Sequence, residues 1–121
     1  QTQYRLHGIG RWALVIKSSG EFAGWCGLKL EERPWKSGKY YDLGYRLKRK
    51  FWGQGIASEA ARCALTYGLE EMNLKEICAA AHIENIASNK IIDKLGFQFI
   101  KTFDFDGSTH NWYELKNPNL S

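Results

Sequence analysis

The positions of the hydrophobic residues along the chain predict alternating strands and helices. Short apolar runs bounded by glycine, proline, serine or charged residues are typical of strands, whereas apolar residues three and four positions apart indicate a helix. On this basis strands are predicted at residues 10–17, 22–30, 40–47, 74–83, 98–105 and 109–115, and helices at residues 56–72 and 86–95. The pattern therefore predicts a protein of mixed α/β type.

Local signals refine several of these predicted elements. The apolar residues that share one face of the first helix are Ile56, Ala60, Ala64, Leu65, Leu69 and Met72. The strand at 74–83 is apolar enough to be buried on both faces, and Gly96 is a natural stop for the second helix. The dipeptide Asp106-Gly107 predicts a tight turn that joins the last two strands in a hairpin.

The segment from Lys50 to Glu59 carries the strongest chemical signal, because two glycines precede a predicted helix start. Gly53 and Gly55 let backbone N–H groups approach an anion without interference from a Cβ atom. The helix N-terminus adds a partial positive charge, and Lys48, Arg49 and Lys50 add full charges. These features predict a site for a pyrophosphate-bearing ligand. The alternative is a tight turn whose glycines only allow the helix to begin.

Two other nucleotide-binding motifs do not fit the residues around these glycines. A Walker A loop continues with a lysine and a hydroxyl residue after its last glycine, and Ile56 and Ala57 occupy those positions. A dinucleotide-binding fingerprint needs a third glycine, where this chain has Ser58. It also needs an acidic residue at the end of the next strand, and the sequence of that strand lacks one in the expected place.

Length and composition agree with one small domain in a reducing compartment. The 121 residues suit a single core, and no apolar run is long enough to span a bilayer. Cys26, Cys63 and Cys78 are odd in number and far apart, which favours reduced thiols and a cytoplasmic protein over disulfides or a metal site. The net charge of +4 suits a cofactor with several phosphates, whereas nucleic-acid binding would need a larger basic surface than the cluster at residues 48–50.

Several motifs occur together in an order that is similar to a known family. They are Gly24-Trp25-Cys26-Gly27-Leu28, Asp42-Leu43-Gly44-Tyr45-Arg46-Leu47, Phe51-Trp52-Gly53-Gln54-Gly55-Ile56-Ala57-Ser58-Glu59-Ala60, Asn85-x-x-Ser88, Lys94-Leu95-Gly96-Phe97 and Trp112-Tyr113-Glu114-Leu115. In this order they resemble the GNAT superfamily of acyl-CoA N-acyltransferases. Within this superfamily the chain more closely resembles the branch that includes the ribosomal-protein N-terminal alanine acetyltransferases.

This resemblance implies a fold, a cosubstrate and a reaction. The implied fold is an α/β (α+β) domain over residues 1–121, with a mixed, mostly antiparallel central sheet and flanking helices. The implied reaction is direct transfer of an acetyl group from acetyl-CoA, without a metal, to a primary amine, which is a protein N-terminus or a small amine. A non-catalytic acyl-CoA-binding domain is the alternative. The expected partners are the amine and, in a homodimer, a second copy of the chain; no membrane partner is expected.

The resemblance also assigns roles to individual residues. The implied cofactor-binding residues are Tyr45, Arg46, Leu47, Lys50, Phe51, Trp52, Gly53, Gln54, Gly55, Ile56 and Asn85. The backbone of residues 51–56 is expected to bind the CoA diphosphate, and the N–H of Leu47 is expected to donate to the thioester oxygen. Ser88 matches a serine proposed to protonate the leaving thiolate. An equally good alternative is that Ser88 caps or opens the helix that begins near Ile86.

Other candidate site residues stay open at this stage. The tyrosine that serves as the acid in some relatives is replaced here by Ile92. Candidates for a general base, by their location near strand ends, are Asp42, His82 and Glu84, each of which fits a solvated or structural role better. Candidates for a pocket wall are Trp25, Trp35, Trp52 and Trp112, with core packing as the alternative.

Residues 4–12 already resemble the run into the family's second strand. The family's first strand and the helices after it are therefore predicted to be absent. Because those helices help to wall the acceptor site in the family, the sequence specifies the cofactor site better than the acceptor site.

Overall fold

The protein is described by a computed structural model that covers residues 2–6, 11–16, 18–33, 36 and 38–119. The strands are β1 (Thr2–Leu6), β2 (Arg11–Ile16), β3 (Phe22–Glu31), β4 (Tyr40–Leu47), β5 (Glu76–His82), β6 (Gln98–Phe105) and β7 (Ser108–Lys116). The helices are α1 (Ile56–Thr66) and α2 (Ile86–Lys94). A 3-10 turn at Arg49–Phe51 precedes α1, and a π-helical turn at Tyr67–Glu71 follows it.

Within the described residues the strands form a single mixed sheet of seven strands in the order β1-β2-β3-β4-β5-β7-β6. All neighbouring pairs are antiparallel except β4 and β5, which are parallel. This agrees with the mixed, mostly antiparallel sheet predicted from the sequence. The predicted hairpin is also confirmed. Asp106 and Gly107, the two residues that join β6 to β7, have positive φ values of 52° and 77°, as a tight two-residue hairpin turn requires.

Two elements differ from the sequence predictions. Strand β1 pairs along its whole length with β2, although no strand was predicted before residue 10. The first helix was predicted to run to residue 72, but its α-helical part ends at Thr66 and the chain widens into the π-helical turn. Gly68 in that turn is buried, and a Cβ there would lie 2.7 Å from Ile77 and 2.8 Å from Leu28. Only glycine allows this approach without a shift of the neighbouring side chains.

The sheet has a helix face and an opposite face. On the helix face α1 and α2 pack on the central strands, and the buried residues include Leu28, Leu43, Ala64 and Ile77. Because side chains alternate along a strand, the intervening residues point to the opposite face. There a smaller cluster is built from Tyr40, Cys78 and Trp112, with Ala80 and Phe103 against it.

Strands β4 and β5 separate soon after they meet, and this gap positions the candidate site. Their only paired positions in the described part of the chain are Asp42 and Cys78, whereas β5 pairs with β7 from Glu76 to His82. We call the space between the diverging strands the seam. A cavity of about 120 Å³ lies there, with walls from Asp42, Leu43, Gly44, Tyr45, Ala80, Ser88, Ile92 and Leu95.

No helix among the described residues is both long and apolar enough to cross a lipid bilayer.

Candidate active site

The glycine loop before α1 is open on its outer side. Gly53 and Gly55 have φ values of 77° and 79°, a left-handed conformation that glycine adopts without steric cost. A Cβ at either position would meet no protein atom within 4 Å. Gly55 is the N-cap of α1, and it has no side chain to accept a hydrogen bond from the first turn. Helix geometry therefore leaves the first N–H groups of α1 available for an anion.

The other loop residues predicted to bind the cofactor have defined contacts. The Phe51 side chain is buried in the core, so only its backbone faces the loop. The Trp52 ring is 60% exposed, and its Nε1–H donates to the carbonyl oxygen of Leu47 at 3.1 Å. Gln54 Nε2 donates to the carbonyl oxygen of Lys50 at 3.2 Å. These contacts tie the loop to the end of β4 and leave the glycine amides uncovered.

The basic cluster beside this loop is exposed, and its members differ in their partners. Lys50 forms an ion pair with Glu21, with 2.8 Å between Nζ and Oε2. Arg49 lies over the Trp52 ring, and Lys48 lies over the ring of Phe22. The positive charge of Lys50 is thus partly compensated by the carboxylate of Glu21.

The backbone of β4 turns one set of its N–H groups toward the seam. The N–H of Lys48 donates to the carbonyl oxygen of Ala23 in β3 at 2.8 Å. Because backbone groups alternate between the two edges of a strand, the N–H groups of Leu47 and Tyr45 point away from β3, on the side where β5 has diverged. Arg46 is exposed and its side chain lies on the opposite face.

The N-terminus of α2 brings Asn85 and Ser88 to the same seam. Asn85 is the N-cap, and its Oδ1 accepts from the N–H of Ser88 at 3.1 Å. The alternative in which Ser88 caps this helix is therefore wrong. The Ser88 hydroxyl instead lies 2.9 Å from the phenol oxygen of Tyr45 on β4. This hydrogen bond connects the two walls of the cavity.

Among the three candidate bases, the structure brings Asp42 into the cavity. Burial, aided by the nearby charge of Glu31, raises the pKa of Asp42 to about 7, against opposing effects of Arg33 and Lys29. Its side chain belongs to the opposite face, since the adjacent Leu43 is in the core of the helix face. Asp42 thus borders the cavity, and its carboxyl group lies on the face of the sheet opposite to the Tyr45–Ser88 hydroxyl pair.

The other two candidate bases lie at the end of β5. His82 Nδ1 accepts from the N–H of Glu84 at 3.0 Å, and the His82 ring packs edge-on against His110. Glu84 is exposed and does not line the cavity. The contacts of His82 fit a structural role and the exposure of Glu84 fits a solvated one, which are the two roles that the sequence favoured over that of a base.

The tryptophans predicted as possible pocket walls have different environments. Trp112 is 1% exposed and packs edge-on against Tyr40, so it is a core residue. The Trp25 ring lies beside Gly44 on the opposite face of the sheet. Trp35 lies outside the described residues.

Two cysteines predicted to be inert thiols are buried. Burial raises the pKa of Cys26 and of Cys78 to about 12 in each case. A thiol must ionise to act as a nucleophile, so neither side chain is suited to carry an acyl group.

A group of potential metal ligands lies on the opposite face, away from the cavity. The ligand atoms of Glu76, Cys78 and Glu114 are within 4.8 Å of one another. The ammonium group of Lys36 forms ion pairs with both carboxylates, at 3.1 Å from Glu114 Oε2. Lys36 therefore already supplies the positive charge that these carboxylates require.

The Tyr45–Ser88 contact is the feature of the site that the sequence did not predict. Tyr45 was assigned to the cofactor through its backbone, and its phenol had no role. The two residues are 43 positions apart, and only the parallel arrangement of β4 and β5 brings them together. The available signal was that Tyr45 lies on one strand and Ser88 lies on the helix that follows the neighbouring strand. The sequence does not give the register of β4 against β5, which is needed to pair the two residues.

Comparisons with known proteins agree with this architecture. The family model described as "Acetyltransferase (GNAT) domain" matches residues 1–98. The Bacillus subtilis protein YkkB, described as uncharacterized, is 32% identical over 93% of this chain and 64% of its own length. The FsC-acetyl coenzyme A-N(2)-transacetylase of Aspergillus fumigatus is 37% identical over 79% of this chain and 42% of its own length.

A solved structure shows the same fold. The ribosomal-protein-S5-alanine acetyltransferase of Vibrio fischeri has a TM-score of 0.79 and 20% sequence identity, over 92% of this chain and 63% of its own. The chain thus spans less than two thirds of the length of each of these three proteins. Because the family model covers most of the chain, and the divergence of β4 from β5 beside an open glycine loop agrees with it, the chain belongs to the GNAT acetyltransferase family.

Proposed function

We propose that the protein transfers an acetyl group from acetyl-CoA to a primary amine, by direct attack of the amine on the thioester. The seam between β4 and β5 is the observation that carries this proposal. Strand amides that point away from β3, the Tyr45–Ser88 hydroxyl pair and Asp42, whose pKa is raised, lie along it, and the open glycine loop follows the end of β4. The family match and the names of two relatives, both acetyl transfer enzymes, support the same activity.

The residues around the seam fit the parts of acetyl-CoA. The glycine loop and the first turn of α1 suit the diphosphate, because they offer uncovered N–H groups and a helix N-terminus. The N–H groups of Tyr45 and Leu47 suit the extended pantetheine chain and the thioester oxygen. The side-chain amide of Asn85, three residues before Ser88, is also proposed to contact the pantetheine chain, although its Oδ1 accepts a hydrogen bond within the helix cap. When bound, acetyl-CoA supplies the activated acetyl group and the sulfur leaving group.

Asp42 is the proposed general base. An amine attacks only when it is uncharged, so a proton must leave the incoming ammonium or the nitrogen after attack. A carboxyl group with a pKa of about 7 is suited to accept that proton near neutral pH. Its location on the opposite face supports entry of the amine from the side of the sheet that does not carry α1 and α2.

Ser88 is the proposed general acid. The nitrogen forms a bond with the carbonyl carbon, and the carbon–sulfur bond then breaks with its electron pair on sulfur. The hydroxyl of Ser88 donates its proton to that sulfur, and water restores the proton to Ser88 afterwards. The proposal is supported by the exposure of this hydroxyl to the cavity between β4 and α2.

The proposed acceptor is a protein N-terminus or a small primary amine. The Vibrio fischeri neighbour is named for an alanine of ribosomal protein S5, and the Aspergillus relative is named for an N(2) position. The first name supports a protein as the acceptor, and the second supports a nitrogen atom as the accepting group. In the same proposal residues 1–121 act as one acetyltransferase domain.

A thiol-release assay on the full chain tests this function. Acetyl-CoA is supplied with a panel of peptides that differ in their first residue and with a panel of small amines, and free CoA is measured against samples without amine. Amine-dependent release of CoA together with an acetylated product is the expected result. Binding of acetyl-CoA by calorimetry without release for any acceptor would instead favour a domain that only binds the cofactor.

A further inference from the structure

The hydrogen bond between Tyr45 and Ser88 gives the tyrosine a role of its own, and this inference rests on the proposed function. The two oxygens are 2.9 Å apart, and either is able to donate. We propose that the phenol of Tyr45 is a positioning residue, which donates its proton to Ser88 Oγ and so leaves the serine hydroxyl proton directed toward the leaving sulfur. Tyr45 itself loses no proton in this scheme.

The direction of this hydrogen bond decides whether Ser88 is able to act as an acid. A phenol and a serine hydroxyl have one proton each. If Ser88 donated to Tyr45, its only proton would be used in that contact. If Tyr45 donates, the Ser88 proton is available to a group in the cavity. The side chain of Tyr45 is partly buried, and burial raises its pKa, so the phenol keeps the proton that it must donate.

Tyr45 is needed because the backbone alone does not fix the Ser88 hydroxyl. The N–H of Ser88 is held by the Asn85 cap, which sets the position of its main chain. The side chain still has three staggered rotamers. A donor on β4 selects the rotamer that points into the seam.

The test uses the full chain with the variants Tyr45→Phe and Ser88→Ala and with the double variant. Loss of one neutral hydrogen bond corresponds to a roughly 2- to 13-fold change in rate, and kcat of Tyr45→Phe is expected to fall by this factor while KM for acetyl-CoA stays within about twofold. Ser88→Ala should lose more, and the double variant should match Ser88→Ala because Tyr45 acts through the serine. Without any ligand, the unfolding free energies of the two single changes should be non-additive.

Tyr113→Phe is the matched control. Tyr113 also donates its phenol proton to a residue of α2, Asn89 Oδ1, at 2.6 Å, but it lies on β7 and does not line the cavity. This change should lower the melting temperature and leave kcat and KM unaltered. A fall in kcat for Tyr113→Phe equal to that of Tyr45→Phe would overturn the positioning role, because any loosening of α2 would then have the same effect.

The remaining outcomes separate this inference from the proposed function. Normal kcat for Tyr45→Phe, with a slow Ser88→Ala, overturns the positioning role and leaves the acid in place. Additive unfolding free energies for the unliganded variants also overturn it, since the two oxygens would then not be bonded in solution. Absence of turnover by the unmodified chain with every acceptor overturns the proposed function and this inference together.

Discussion

The two α-helices in the described part of the chain begin in different ways, although each follows a strand that borders the seam. Helix α1 starts at Gly55, which has no side chain to accept a hydrogen bond, and the space around that glycine is open. Helix α2 starts at Asn85, whose side chain accepts from the N–H of Ser88. One terminus therefore exposes its N–H groups, and the other has an internal partner for at least one of them.

The difference in capping indicates which helix terminus is suited to an anion and which to a catalytic group. An uncapped N-terminus carries unsatisfied donors and a partial positive charge, both of which favour a phosphate. A capped terminus offers less to an anion, but its first turn is held firmly and presents Ser88 at a fixed place. The following expected outcomes separate the two roles, beginning with the largest effect.

The capped terminus should respond most strongly to loss of the Ser88 hydroxyl. A general acid contributes typically ~10²–10⁴-fold in rate, so Ser88→Ala should lower kcat by a factor in this range. Affinity for acetyl-CoA should change little, and the melting temperature should fall only as far as loss of the one hydrogen bond to Tyr45 causes, because the helix cap at Asn85 is retained. Steady-state kinetics, calorimetry and a thermal melt measure the three quantities.

Asn85→Ala is the companion to that variant. Loss of an N-cap side chain costs about 1 kcal/mol, so this change should lower the free energy of unfolding and raise KM for acetyl-CoA, with a smaller effect on kcat. If the Ser88→Ala variant turned over normally, the proposed difference between the two helix N-termini would be wrong, because the capped terminus of α2 would then carry no catalytic group.

Asp42 lies on the other side of the sheet from the two helices. Its substitution tests whether the amine is deprotonated on that side. With a pKa of about 7, the carboxyl is deprotonated and able to act as a base only above that pH. The value of kcat/KM should therefore rise with pH and level off above about 7. Asp42→Asn should remove this limb of the profile and lower the rate by roughly 10²-fold, the lower bound for a general base. A limb that persists in the variant would mean that another group is titrating.

The same carboxyl has a predictable effect on stability. Its pKa in the folded protein lies above the ordinary value of 3.8, so folding favours the protonated form. The associated stability is present below about pH 4 and is lost as pH rises through about 7. The free energy of unfolding of the Asp42→Asn variant should lack this decrease. Denaturant titrations at several pH values between 4 and 8 provide the measurement.

The uncapped terminus should respond to a side chain at Gly55. A Cβ atom there would meet no protein atom within 4 Å, and a Val side chain would extend into the space proposed for the diphosphate. Loss of hydrogen bonds to a charged ligand is worth about 1.5–3 kcal/mol each, so Gly55→Val should weaken acetyl-CoA binding by about this amount. Calorimetry gives the affinity directly.

The positive φ of Gly55 requires a control, because any residue other than glycine is strained there. Gly107 has nearly the same φ, 77° against 79°, and equally open surroundings in the β6–β7 turn. Both Val variants should lose roughly 1–2 kcal/mol of stability, and only Gly55→Val should lose affinity. Equal affinity in the two variants would show that the loop does not bind the diphosphate.

Much of this contrast was predictable from the sequence because it depends on local signals. Two glycines before an amphipathic run predicted the open start of α1, and Gly96 predicted the end of α2. The predicted strand at 40–47 has the bounds of β4 in the structure. The Asp-Gly turn fixed the hairpin, because left-handed φ values at both positions admit few other residues.

The remaining features depend on contacts between distant parts of the chain. Gly68 lies where Leu28 and Ile77 approach, and no periodicity within residues 56–72 reveals that crowding. The raised pKa of Asp42 comes from burial at the point where β4 meets β5. Strand β1 is too short and too polar to be predicted from the pattern of hydrophobic residues, and it is recognised as a strand by its pairing with β2.

The smallest expected effect concerns the basic residues beside the uncapped terminus. Exposed charges contribute little each, and they are screened beyond ~10 Å at 0.1 M ionic strength. Replacing Lys48 and Arg49 by alanine should weaken acetyl-CoA binding by less than about tenfold, with a weaker dependence on salt than the unmodified chain shows. Lys50→Ala should have less effect still, because Glu21 already pairs with Lys50. Glu21→Gln provides the opposite change: it frees the Lys50 ammonium and should strengthen binding at low salt. If Glu21→Gln weakens binding instead, the Lys50–Glu21 ion pair is needed to order the glycine loop. The start of α1 would then be held by this ion pair, in the way that the start of α2 is held by the Asn85 cap.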